Sequence, residues 1–264
     1  MPFPPTTLTE RLLHAVKRLE VETPAGTRIA TAYGYQVQVA QNRQLPALIT
    51  TRAALAQAQA VTFHMHLAQG GEPQRESTAL RMAGATLHIV PHPTATVDLA
   101  ALLPARAITA WGQAHPGRSL YAMWLDDTVF FPEERWDELD ALESLAIIAT
   151  TEKLTDSANH LPLILAAHSA SHPLLDWSGQ PEFLLGARLL PGMWGAPVLL
   201  MPGAGRAGRN PEALAARSRY GLIGTLRGGV GADPQGIGLV VKARETHRLL
   251  EGVRREVTER LKPN

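Results

Sequence analysis

The sequence predicts an all-β protein with helices at its two ends, and three observations carry that expectation. Apolar runs are short and are bounded by Gly and Pro, as in Phe183 to Leu190 and Val198 to Met201. Val61-Thr-Phe-His-Met-His-Leu67 alternates with the period of a strand. Helical spacing marks the ends, in Leu12, Leu13, Val16 and Leu19 and again in Leu249, Leu250, Val253, Val257 and Leu261.

Composition narrows the function classes. A chain of 264 residues suits one all-β domain of two barrels, or two ordinary domains. With 19% charged residues and a formal net charge of +1, it has no field strong enough to suggest nucleic acid as the main partner. There is no cysteine, so disulfides, thiol catalysis and thiolate metal sites are excluded. Met1-Pro-Phe-Pro-Pro lacks the basic and apolar regions of a signal peptide, and no apolar run is long enough to span a bilayer. The expectation is a cytoplasmic protein with no membrane partner.

In chain order, Thr7 or Thr9 caps the first helix, an amphipathic lid within an N-terminal helical segment over residues 1–28. Short β-type runs begin at Ile29 and continue through Leu48-Ile-Thr-Thr-Arg-Ala-Ala-Leu55. His64 and His66 share one strand face, so a metal reading arises, with His88 or His92 as a third ligand; two same-face histidines are more often solvent-facing residues. After Ala85-Thr-Leu-His-Ile-Val-Pro-His-Pro93 comes Val97-Asp-Leu-Ala100. Trp136, Leu139 and Leu142 lie at helical spacing inside the acidic stretch Val129 to Glu143, giving an apolar face and a solvated acidic one. Leu145 to Thr150 reads as a strand. His168, Ser169, Ser171 and His172 offer hydroxyls beside imidazoles, but neighbours on an extended segment face alternately and are not preorganised for attack. Gly203 to Gly208 forms a Gly-x-Gly-x-x-Gly string, which is weak as a nucleotide signal without a helix at the third glycine. Tyr220 to Leu226 and Ile237 to Lys242 read as the last strands, followed by a helix over 244–264.

Several of these stretches together resemble the bacterial trypsin-like serine peptidases. Leu48 to Leu55 is similar to the segment that carries the family's general-base histidine, and Ala53 stands at that position. Val97-Asp-Leu-Ala100 is similar to the segment that carries the triad aspartate, here Asp98. Pro191-Gly-Met-Trp-Gly-Ala-Pro197 is similar to the Gly-x-Ser-Gly-x-Pro turn of the nucleophile, with Trp194 in the serine's place. Asn159 to Ile164 and Leu175 to Leu185 match one bacterial branch in residue type, whereas Thr150 to Thr155 departs from its Gly-Tyr-Pro turn.

The resemblance implies two antiparallel six-stranded Greek-key barrels, the first with its acidic connection over 29–143 and the second over 144–243. The relic site then lies at their junction. Ala53 cannot accept a proton and an indole supplies no nucleophile, so the triad positions Ala53, Asp98 and Trp194 are degenerate. Asp98 is left with a structural role, satisfied by backbone amides. Gly192, Met193, Trp194 and Gly195 form the relic of the oxyanion loop, with Met193 and Trp194 bulky enough to fill the cleft. No cofactor is expected. The reading is a pseudoprotease that binds a peptide or partner protein at the inter-barrel cleft; the alternative is a hydrolase using a metal at His64 and His66 or a relocated serine.

Overall fold

The computed structural model describes residues 5–40, 42–201, 220–230 and 236–261. The Gly203 to Gly208 string lies outside the described residues. The chain is mostly β, and it builds two bodies in sequence order. No helix among the described residues is long and apolar enough to cross a membrane.

The first helix, α1 (Leu8–Ala15), opens on a capping box. Thr7 Oγ1 accepts the Glu10 N–H at 3.2 Å while the Glu10 carboxylate accepts the Thr7 N–H at 2.8 Å. It ends earlier than the apolar spacing predicts. Val16 turns extended, and Val16–Thr23 becomes strand β1, pairing with β2 (Gly26–Ala40) on one side and β4 (Ala60–Gln69) on the other. Val16 and Leu19 therefore belong to a strand. Two ladders satisfy the backbone of this segment, and its inward positions Lys17, Leu19 and Val21 alternate with Arg18, Glu20 and Glu22.

The other strands of the first body are β3 (Arg43–Thr50), β5 (Glu72–Ala83), β6 (Ile89–Pro91), β7 (Ala100–Leu102) and β8 (Ser119–Leu120). Seven of the body's eight strands run in the order β5-β4-β1-β2-β3-β7-β6, with β8 beside β4. Among the described residues no ladder joins β5 to β6, so this body is an eight-stranded sheet rather than the closed six-stranded barrel expected. A helix that the apolar spacing did not reveal, α2 (Ala105–Ala114), packs on β5 and β3.

The second body is the closed six-stranded barrel. Its strands are β9 (Ser144–Ala149), β10 (Leu163–Ser169), β11 (Glu182–Gly186), β12 (Pro197–Leu200), β13 (Gly221–Gly229) and β14 (Ile237–Lys242), ordered β10-β11-β14-β13-β12-β9 with every pair antiparallel. The terminal helix α3 (Ala243–Leu261) buries Leu249, Leu250 and Val253, as its spacing predicts.

Between the bodies the acidic connection is not a long helix. Only Glu133–Glu138 coils, as a 3₁₀ turn; Trp136 and Leu139 are buried, but Leu142 is 72% exposed. The backbone turns extended at Leu139, so the helical face stops before it reaches Leu142.

One core serves both bodies. Tyr33, Tyr35, Ile49 and Leu99 pack with Ile147, Phe183, Val198, Val240 and the buried face of α3, while a second cluster of Leu19, Val21, Phe63, Met65 and Leu80 belongs to the first sheet alone. Where α1 meets β4, the His14 ring lies edge-on to His66 and Tyr121 at 5.3 and 5.1 Å between ring centres.

Burial, with His66 and Lys17 nearby, pulls the His14 imidazole down from 6.5 to about 4. Between those two values the unfolded chain holds a proton at His14 that the folded chain rejects, so stability falls as pH falls through that window. His14→Leu is expected to flatten the pH dependence of the unfolding free energy there by on the order of 2 kcal/mol, measured by urea denaturation. The burial account of His14 fails if the variant's profile stays parallel to that of the natural chain.

Candidate functional site

Ala53 and Asp98 are in contact within the first body, and the Trp194 carbonyl is bonded to β2 of that body. Ala53 lies in the turn after β3 and Asp98 just before β7, and the β3–β7 ladder sets these segments side by side. The half-buried Asp98 accepts the Ala53 N–H on Oδ1 at 2.8 Å. Asp98 is therefore partnered by a backbone amide.

The third position comes from the turn between β11 and β12. Gly192 and Gly195 have φ of +96° and +93°, the left-handed region that favours glycine. At Gly195 a Cβ would lie 2.1 Å from the Thr31 carbonyl oxygen and 2.2 Å from Thr50 Oγ1. The turn can approach β2 and β3 this closely only because no side chain intervenes.

Several hydrogen bonds lock the turn. The Thr31 N–H donates to the Trp194 carbonyl at 2.9 Å, and the Gly195 N–H to the Leu226 carbonyl at 2.7 Å. Thr31 Oγ1 donates to the Gly192 carbonyl at 2.8 Å and accepts the Thr150 N–H at 3.0 Å, while Thr50 Oγ1 donates to the Thr31 carbonyl at 2.7 Å. Among the described residues the N–H groups of Gly192 and Trp194 have no acceptor. The side chains diverge: Met193 is fully buried in the shared core with its Sδ accepting the Leu190 N–H, and Trp194 is half-buried against that core.

The side chains of Ala53 and Trp194 are neither basic nor nucleophilic. Asp98 is the one ionisable side chain of the three, and with Ala53 facing it there is no imidazole to orient.

The alternative reactive groups are engaged elsewhere. Ser169 is buried, donating Oγ–H to the Ala141 carbonyl at 2.6 Å and accepting the Glu143 N–H at 2.7 Å. Ser171 Oγ accepts the Leu184 N–H at 2.8 Å and His172 Nδ1 accepts the Leu174 N–H at 3.3 Å, while the His168 ring lies over Gly186. These contacts tie the residues to β11 and to neighbouring loops, so they do not form a nucleophile and base pair.

His64 and His66 share a face of β4, but the suggested third ligands lie away from them. His88 Nε2 is 2.8 Å from the Glu256 carboxylate, and the buried His92 faces Glu245, both on α3. His66 Nδ1 donates to the Gln74 carbonyl at 2.8 Å, and His64 stacks on His160 with centres 5.8 Å apart and planes at 2°. Among the described residues no three His, Asp or Glu side chains converge on one point. The partner His160 arrives from a remote segment, a placement no spacing in the sequence signals.

Gly195→Ala tests the close approach. The added methyl meets backbone and a buried hydroxyl, at a φ that L residues avoid, so the variant is expected to lose more than about 3 kcal/mol of stability by urea denaturation. Asp98→Ala, which removes one acceptor at a half-buried amide, is expected to cost about 1 kcal/mol in the same assay. Equal costs would mean that the turn is not wedged as described.

The chain matches no protein-family model, and no curated protein matches it in sequence. Solved structures do match. A thermostable serine protease, AL20, from an extremophilic microorganism is 11% identical with a TM-score of 0.53, over 90% of this chain and 96% of that one. The serine endoprotease of Yersinia pestis is 12% identical with a TM-score of 0.52, over 96% and 68%. The protease of tobacco vein mottling virus is 10% identical with a TM-score of 0.51, over 92% and 82%. At these identities the likeness concerns architecture: the chain has the fold of chymotrypsin-like serine proteases.

Proposed function

We propose that this protein is a catalytically inactive relative of the trypsin-like peptidases, whose scaffold binds a peptide or partner protein at the junction of its two bodies. The observation that carries the reading is Asp98 in contact with Ala53 beside a glycine-bracketed turn bearing Trp194. The architecture around the reaction centre is retained while both groups that would exchange a proton are replaced. The Gly192 and Trp194 amides support a binding role, since two such donors can hold a peptide carbonyl without chemistry. The reading carries no cofactor and places the protein in the cytoplasm.

A fluorophosphonate serine-hydrolase probe tests the proposal. The natural chain is expected to remain unlabelled, and an Ala53→His, Trp194→Ser double variant, shown to be folded by circular dichroism, is expected to label. Labelling of the natural chain overturns the inactive reading. A folded but unlabelled double variant overturns the assignment of Ala53 and Trp194 to the histidine and serine positions.

A further inference from the structure

A cavity of about 320 Å³ opens between the two bodies, on a wall that includes none of Ala53, Asp98 and Trp194. Its volume falls within the range of small-ligand sites. β1 and β4 contribute Lys17, Arg18, Glu20, His64 and His66, and the segment after β9 contributes Glu152, Asp156 and His160. Leu13, Leu154 and Leu161 give it apolar walls.

The acids around this cavity are largely committed, while two buried basic groups, Lys17 and His66, face no carboxylate among the described residues. Glu20 is ion-paired with Arg18. The Asp156 carboxylate accepts the N–H groups of Ala158 and Asn159 at 3.0 and 2.9 Å and the Asn159 side-chain amide at 2.8 Å. Glu152 sits on the exposed rim, where water solvates it. Lys17, by contrast, is 5% exposed, and its Nζ donates to the His14 carbonyl at 2.5 Å with no carboxylate among its contacts in the described residues. Burial pulls the Lys17 ammonium down to about 8, which still leaves it mostly charged at neutral pH. His66 is 7% exposed; its Nδ1 is spent on Gln74, and its Nε2 has no partner among the described residues. A buried cation without a counter-ion is costly, and a ligand that supplies one recovers that cost on binding.

We propose that this cavity binds a carboxylate, held by Lys17 and His66 at its inner wall with the stacked His64–His160 pair beside it. The carboxylate arrives on a free dicarboxylic acid or on an acidic peptide side chain, and the leucine walls cover its methylene carbons. The site is separate from the degenerate triad, so it stands whichever way the labelling experiment falls.

Binding is coupled to protons. His66 faces Lys17, His160 and the His14 ring, with Tyr121 beside the last, and desolvation holds it below its ordinary value. His64 faces His160, Glu20 and Arg18, and desolvation lowers it too. An arriving anion favours the imidazolium forms, so affinity rises as pH falls.

Imidazole carbon–proton NMR spectra of the full chain read these groups directly. Titrants are glutarate, an acetylated and amidated Ala-Glu-Ala peptide, and its Gln counterpart. Saturable movement of the His66 and His160 resonances with glutarate alone assigns a small acid, and movement with the Glu peptide assigns a peptide side chain. The Gln peptide is expected to move neither. Affinity is expected to strengthen about tenfold from about pH 8 to about pH 6, and to weaken about tenfold in Lys17→Met and in His160→Ala. His160 lies on an exposed segment, so that variant keeps the test valid if Lys17→Met does not fold. The proposal is overturned by any of three results: no saturable movement with either carboxylate, equal movement with the Gln peptide, or unchanged affinity in every folded variant.

Discussion

The junction of the two bodies depends on one buried threonine. Thr31 has no solvent exposure, and its hydroxyl takes the Thr150 N–H at the end of β9 while giving its proton to the Gly192 carbonyl in the turn. Its backbone N–H donates to the Trp194 carbonyl, and its own carbonyl accepts Thr50 Oγ1. One residue of β2 thus holds the start and the end of the second barrel's site-bearing segment. Each bond contributes only about 1 kcal/mol net, but every group is buried, so losing a partner strands polar atoms at a cost of roughly 1–3 kcal/mol each.

Around that node the aromatic and aliphatic core fills in. Tyr33, two residues along β2, reaches Thr225 Oγ1 at 2.9 Å and Thr246 Oγ1 at 3.3 Å, tying the sheet to β13 and to α3. Burial raises its phenol to about 12, so it remains a neutral hydrogen-bonding group at any physiological pH. Lys242 performs a similar service at the base of α3, where its buried ammonium donates to the Leu174 carbonyl at 2.9 Å and to Asp176 at 2.6 Å. Buried polar groups that are fully partnered in this way fix the relative placement of elements that apolar packing alone leaves free to slide.

The same rigidity separates shape from chemistry. The turn at Gly192 to Gly195 is held by backbone and by residues of the other body, and none of those bonds involves the side chain at position 194. A turn held this way keeps its form whichever side chain stands at position 194, and fold by itself says little about activity.

Much was legible in the sequence. Gly- and Pro-bounded apolar runs foretold the strands of the second barrel and the leucine spacing foretold α3, while the motifs single out Ala53, Asp98 and Trp194 as candidate positions. Strand β1 was hidden because Lys17 occupies an inward position that breaks the apolar alternation, while Val16 and Leu19 happen to sit one helical turn apart. The acidic connection misled for a related reason: Trp136 and Leu139 keep helical spacing, yet the chain turns extended before Leu142 joins them. Local spacing is written in the sequence, so it determined the strands of the second barrel and the terminal helix. Long-range contact is not, so only tertiary structure decided that Asp98 meets the Ala53 amide, that Ser169 spends its hydroxyl on two loop groups, and that His160 stacks on His64 at a cavity that the buried Lys17 also lines.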